Sequence, residues 1–123
     1  MIRGISVATV PVRNQDAALK FYTDKLGFKV LTDQPYTAKQ RWIELLIPGA
    51  ESRLALFTPE GHEDRIGHFQ PLTFWCDDVH ATAKLLQSRG VEFAQEPKTE
   101  VWGTMCIFKD PDGNQFVLSD KLR

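Results

Sequence analysis

The chain repeats itself, and the repeat governs what it can fold into. Gly27 and Gly90 each close a helix-like stretch and lie 63 positions apart, and the glycine turns at Gly49 and Gly113 lie 64 apart. A period that long, present in only two copies, is not a solenoid. It describes two half-domains of one design. Each half reads strand, helix, then three strands. A four-stranded sheet carrying one helix leaves its second face without cover. Two such units placed edge to edge make a curved sheet of eight strands, with helices outside and a concave face inside. A concave face is where a small ligand goes.

In the first half, spanning 4–58, residues 4–12 are rich in Val, Ile and Thr and predict a strand. Asn14 is the expected N-cap of a helix, with Asp16 in its first turn. Ala17, Ala18, Phe21, Tyr22 and Leu26 mark that helix's apolar face. Strands are predicted at 28–32, 41–47 and 53–57, with a loop over 33–40 and a turn at Pro48-Gly49. Residues 59–69, with Pro59, Gly61, Gly67 and a charged run from Glu60 to Arg65, read as a solvated linker or a flap. The second half, 70–120, restarts the pattern with a strand at 71–76. Asp77 or Asp78 caps a helix whose apolar side is Ala81, Leu85 and Leu86. Strands follow at 91–94, 104–108 and 114–119, with a loop over 95–101. Asp110-Pro-Asp-Gly113 fits a β-turn, so its two acids are read as structural.

Composition removes several classes of function. Net charge is −1 with acids and bases interspersed, so neither nucleic acid nor an anionic membrane is an expected partner. No apolar run reaches the roughly 20 residues of a membrane span, and the first residues lack a signal peptide's apolar stretch. The cytosol is the expected location. Cys76 and Cys106 each sit in an apolar stretch and are expected to be buried thiols there. There is no phosphate loop or dinucleotide fingerprint, nor any nucleophile elbow, so no cofactor is expected.

Four segments carry a resemblance over nearly the whole length. They are Phe21-Tyr22 through Leu26-Gly27-Phe28, Arg41-Trp42-Ile43-Glu44 before Pro48-Gly49, Phe74 to Val79, and Phe108 to Asn114. Together they resemble the vicinal oxygen chelate superfamily, which includes glyoxalase I, extradiol dioxygenases and bleomycin-resistance proteins. The resemblance implies an α+β fold of two βαβββ repeats. Its metal enzymes carry one His or Glu ligand in each of four strands, and those places fall here on Val7, Ala55, Pro71 and Val117. None of these can ligate a divalent ion. Their immediate neighbours offer only Gln70, a weak ligand. The chain therefore looks closer to metal-free members of the bleomycin-resistance kind, which sequester a ligand without reacting it. The resemblance also implies a homodimer.

Strand alternation names the residues expected on the concave face. The first strand offers Ile5, Val7 and Thr9, the third Trp42, Glu44 and Leu46, and the fourth Ala55 and Phe57. Thr73 and Trp75 come from the fifth strand, and Gln115, Val117 and Ser119 from the eighth. Trp102 sits in a loop. The tryptophans read either as a clamp for an aromatic or cationic ligand or as packing at an interface. Glu44 reads as a ligand for a cation, as a general base, or as one half of an ion pair with Arg41 or Arg53. His62 and His68 read as solvated loop residues and His80 as exposed on its helix. The functional expectation is metal-independent small-molecule binding; the alternative is a lyase or isomerase with Glu44 as base.

Overall fold

A computed structural model describes residues 1–121. Its elements run β1 (Ala8–Val10), α1 (Gln15–Asp24), β2 (Lys29–Pro35), β3 (Arg41–Leu46), β4 (Arg53–Leu56), then β5 (Phe69–Trp75), α2 (Val79–Ser88), β6 (Phe93–Glu100), β7 (Gly103–Lys109) and β8 (Gln115–Ser119). The strands fall into two sheets of four, ordered β1-β4-β3-β2 and β5-β8-β7-β6. In each sheet the first strand pairs parallel with the last, and the other pairings are antiparallel. The chain divides into two compact units at Ile66/Gly67, each holding one sheet and one helix. This is the α+β architecture of two βαβββ units.

The helices begin and end where the sequence indicates. The Asn14 side chain accepts from the Ala17 N–H at 3.0 Å, and the Asp78 side chain accepts from the Ala81 N–H at 3.0 Å. Gly27 and Gly90 both adopt left-handed backbone, φ 77° and 85°, which a residue with a Cβ takes up only at a cost. The residue after each donates back into the last helical turn, Phe28 to the Tyr22 carbonyl and Val91 to that of Leu86, both at 3.0 Å.

Which helical residues are buried differs in part from the sequence reading. On α1, Ala18 and Tyr22 are buried but Ala17 is exposed. On α2 the buried face is Val79, Ala83 and Leu86, whereas Ala81 is exposed and Leu85 is 48% exposed. Val79, Ala83 and Leu86 fall at i, i+4 and i+7, one stripe of the helix, and Ala81 and Leu85 lie off it.

The core of the first unit is made by Val10, Ala18, Tyr22, Ile43, Leu45, Leu54 and Leu56. Gln15 anchors the start of α1 by donating to the carbonyls of Arg41 and Leu56 and accepting from the Arg41 N–H. Two side chains continue the ladder past the strand ends. The Thr58 hydroxyl accepts from the Val12 N–H and donates to the Val12 carbonyl, both at 2.8 Å. The Gln40 amide bonds both backbone groups of Thr58. Each stands in for a missing strand neighbour. In the second unit Phe74, Phe108 and Phe116 pack ring on ring, with centroids 5.5 to 5.9 Å apart, next to buried Cys106 and Leu118.

Strand boundaries moved most at the hairpins. β2 runs on to Pro35 and β6 to Glu100, through segments the sequence reading assigned to loops. Their polar residues qualify because pairing with β3 and β7 satisfies the backbone, while the outer edge of each strand faces water. Pro97 is tolerated because it falls where the β6–β7 register shifts. β1 is shorter than expected, since β4 offers it only three partners, from Leu54 to Leu56. Ile5 therefore lies exposed outside the strand. Cys76 is only half-buried, whereas Cys106 is fully enclosed; both are free thiols.

Candidate functional site

The face of the first sheet turned away from its buried Ile43, Leu45, Leu54 and Leu56 is set by register. Thr9 pairs with Ala55, Ala55 with Glu44, and Glu44 with Thr32, so four side chains cross the sheet in one row. Thr9 is exposed, while Ala55 is fully buried as the small residue between larger neighbours. Val7 lies before β1 and is half-buried. Beside this row stands an aromatic cluster. The Phe57 ring centroid lies 5.2 Å from Trp42 and 5.1 Å from Tyr36, and Tyr36 lies 6.4 Å from Trp42. Tyr36 was not among the sequence-selected residues, because it follows Pro35 in what reads as a polar loop. It reaches the cluster because the β2–β3 hairpin brings it back beside Trp42, its N–H bonding the Gln40 carbonyl. That pairing register is the signal that would have found it.

Glu44 is engaged at both oxygens. The Trp42 indole N–H donates to its Oε2 at 3.0 Å, and Arg53 Nη1 lies 3.4 Å from its Oε1. The Glu44 side chain is 16% exposed. Of the two ion pairs the sequence allows, Arg53 is the partner. Arg41 turns to Asp16 and Asp33, both at 2.9 Å, and its hydrogen bonds to Asp33 and then Asp16 raise its pKa further. Trp42 and Glu44 thus hold each other as a unit, the indole edge fixed and the ring presented with Phe57 and Tyr36.

On the second sheet the equivalent row is Thr73, Val117 and Ile107, with Gln95 beyond. Ile107 occupies the place that Glu44 holds in the first unit, so the two halves share geometry but not chemistry. The next row is Trp75, Ser119, Met105 and Lys98. Thr73 is exposed and Val117 half-buried. Trp75 is 54% exposed, and Lys121 sits over it, the ammonium nitrogen 5.0 Å from the ring centroid. Sequence reasoning missed Lys121 because it lies beyond the last strand. Trp102, in the turn joining β6 to β7, is also about half exposed, and Val101 before it is fully exposed.

The four positions at which the resemblance would seat metal ligands are Val7, Ala55, Pro71 and Val117, and their side chains carry no donor atom. Among the described residues no group of three or more His, Cys, Asp or Glu side chains is placed to hold an ion. The donor set therefore does not fit the metal of the family's enzymes. His62, His68 and His80 are all exposed. The 60–68 segment holds a short helical turn, Glu63–Arg65, capped locally: the Gly61 N–H reaches the Glu63 carboxylate at 2.9 Å and holds its pKa low. Burial pushes the Cys106 thiol up to about 12, which keeps it protonated and unreactive at neutral pH. Asp110 is confirmed as structural, accepting from the N–H groups of Asp112 and Asn114. No helix among the described residues is long and apolar enough to cross a membrane.

Comparison with known proteins agrees with this geometry. Residues 4–118 match the family model of the Glyoxalase/Bleomycin resistance protein/Dioxygenase superfamily. The Bacillus subtilis (strain 168) protein YetH is 35% identical over 120 residues, covering 98% of this chain and all of that protein. A member of the same superfamily from Sphaerobacter thermophilus DSM 20745 superimposes with a TM-score of 0.87 at 33% identity, covering 98% of both chains. TnmS3, an antibiotic binding protein from Streptomyces sp. CB03234, superimposes with a TM-score of 0.85 at 34% identity, covering 97% of this chain and 96% of that one. Fold, repeat and sequence coincide over almost the full length, and the chain belongs to the Glyoxalase/Bleomycin resistance protein/Dioxygenase superfamily.

Proposed function

We propose that this protein binds a planar aromatic small molecule on its sheet faces and holds it without metal chemistry. The observation that carries the reading is a substitution of character. Where the family's enzymes present ligating His and Glu, this chain has Val7, Ala55, Pro71 and Val117, and beside them lie the exposed Tyr36, the half-buried Trp42 and the buried Phe57. Aliphatic positions flanked by Trp42, Phe57 and Tyr36 suit dispersion and stacking against a flat ligand. The likeness to an antibiotic binding protein supports the same reading. In it, Thr9, Thr73 and Trp102 supply polar and aromatic contacts at the margin, and the protein acts in the cytosol as a homodimer.

A lyase or isomerase using Glu44 as base draws less support. A base must reach its substrate, and the Glu44 carboxylate is held by Trp42 and Arg53 with its side chain only 16% exposed. The test joins metal analysis to ligand titration. Purified protein is expected to hold no stoichiometric divalent ion after dialysis, and to show saturable quenching of tryptophan fluorescence by planar aromatic probes. A divalent ion held by side chains of the sheet faces refutes the reading. Glu44→Gln preserves an acceptor for the Trp42 indole, so affinity is expected to stay within about threefold. Should any turnover be found and be lost in Glu44→Gln, the enzyme reading replaces this one.

A further inference from the structure

The second sheet carries an arrangement that narrows the chemistry of the ligand. Trp75 projects from the end of β5 with more than half its surface open. One face of its ring is already taken by a cation, the Lys121 ammonium at 5.0 Å. Lys98 lies in the same cross-strand row, and Lys109 lies on the same face, paired across from Gln115. Four acids of this unit have partners of their own. Glu100 pairs with Lys98, Glu96 accepts from Gln87 on α2, Asp120 accepts from the Thr104 N–H, and Asp78 caps α2. The cation shown at this open ring is Lys121.

We propose that Trp75 and Lys121 form a subsite for a planar aromatic anion, such as an aryl carboxylate. This rests on the small-molecule reading above and gives it a charge. A cationic ligand on the open surface of the indole meets a like charge, the Lys121 ammonium, at the same ring. A neutral ring stacks on the indole but leaves the ammonium without a partner. An aromatic carboxylate gains twice. Its ring stacks on the indole, and the ammonium, on a flexible four-carbon stem, swings to the ring edge and pairs with the carboxylate. The sequence pointed to aromatic or cationic ligands through the tryptophans alone; the lysine over the ring selects the opposite sign of charge.

The experiment uses the full chain labelled with nitrogen-15 and three matched probes: naphthalene-2-carboxylate, 2-naphthamide and 2-naphthylmethylammonium. The indole N–H signals of Trp42, Trp75 and Trp102, assigned by single Phe substitutions, report where each probe binds. The carboxylate is expected to shift the Trp75 signal and to bind roughly fivefold tighter than the amide, with the ammonium weakest. Lys121→Met, at an exposed position outside the core, is expected to bring the carboxylate down to the affinity of the amide and leave the amide within twofold. Added salt is expected to weaken the carboxylate alone. Equal affinities, an ammonium that binds tightest, a preference that survives Lys121→Met, or shifts confined to Trp42 or Trp102 would each overturn the subsite while leaving small-molecule binding intact. Silence of all three indoles toward all three probes overturns both.

Discussion

Asn114→Ala is expected to cost about 3 kcal/mol of stability. Asn114 is fully buried at the end of the Asp-Pro-Asp-Gly turn, just before β8. Its Oδ1 accepts from the Gly67 N–H at 2.7 Å and from the Gln70 amide at 2.9 Å, and its Nδ2 donates to Asp110 Oδ2 at 2.9 Å. The amide orientation follows from chemistry, since a backbone N–H only donates and a carboxylate accepts. Each bond contributes about 1 kcal/mol net, and each buried partner left without its hydrogen bond costs about 1–3. Gln70 retains a bond to the His68 carbonyl, and Asp110 retains those from Asp112 and Asn114 N–H groups, so the total stays near the lower end. A domain of this size has roughly 5–15 kcal/mol to lose. Urea unfolding followed by circular dichroism should show the midpoint falling with an unchanged slope, and the melting temperature dropping by roughly 10 °C. Asn114→Asp separates bonding from packing. It keeps the volume and the acceptor but sets an oxygen against Asp110 Oδ2. It too should be destabilised at neutral pH and should recover as acid protonates one of the two carboxyls. A loss under about 1 kcal/mol in Asn114→Ala, or a neutral Asn114→Asp, refutes the reasoning.

Thr58→Val, close in shape, strips both hydrogen bonds from the Val12 backbone inside the first unit; a loss of about 2 kcal/mol is expected, and Thr58→Ser should recover most of it in the same unfolding assay. The folded state holds the Cys106 proton up to about pH 12, against an ordinary value of 9.0. Its contribution is therefore complete below pH 9 and is lost as pH rises toward 12, so wild type should lose about 1 kcal/mol by pH 10 relative to a Cys106→Ala variant compared at pH 8. In native protein at pH 8 iodoacetamide should label Cys76 well before Cys106, and equal labelling rates would contradict the burial difference.

Much of the fold was legible because its signals are local. The glycines at 27 and 90 announce left-handed helix ends whatever surrounds them, and Asn14 and Asp78 announce helix starts. On β3 the alternation of Trp42, Ile43, Glu44 and Leu45 assigned both faces correctly, because side-chain direction in a strand is fixed by the backbone. Other features have causes distant in sequence. β2 and β6 extend past their apolar residues because a hairpin partner pairs their backbone. Leu85 is outside the packed face because the sheet takes the stripe of Val79, Ala83 and Leu86 instead.

The candidate site divides the same way. The sequence determined that the chain is a doubled βαβββ unit, and it placed Trp42 and Glu44 on the strand face opposite the buried Ile43 and Leu45. Only the tertiary structure decided what those residues do with one another. It gave Glu44 to Trp42 and Arg53, brought Tyr36 to Phe57, and set Lys121 over Trp75. The reason is physical. Identity and strand parity are written residue by residue, whereas a charge finds its partner through space, and the pairings of Glu44 with Arg53 and Trp75 with Lys121 exist only once separate strands have been laid side by side.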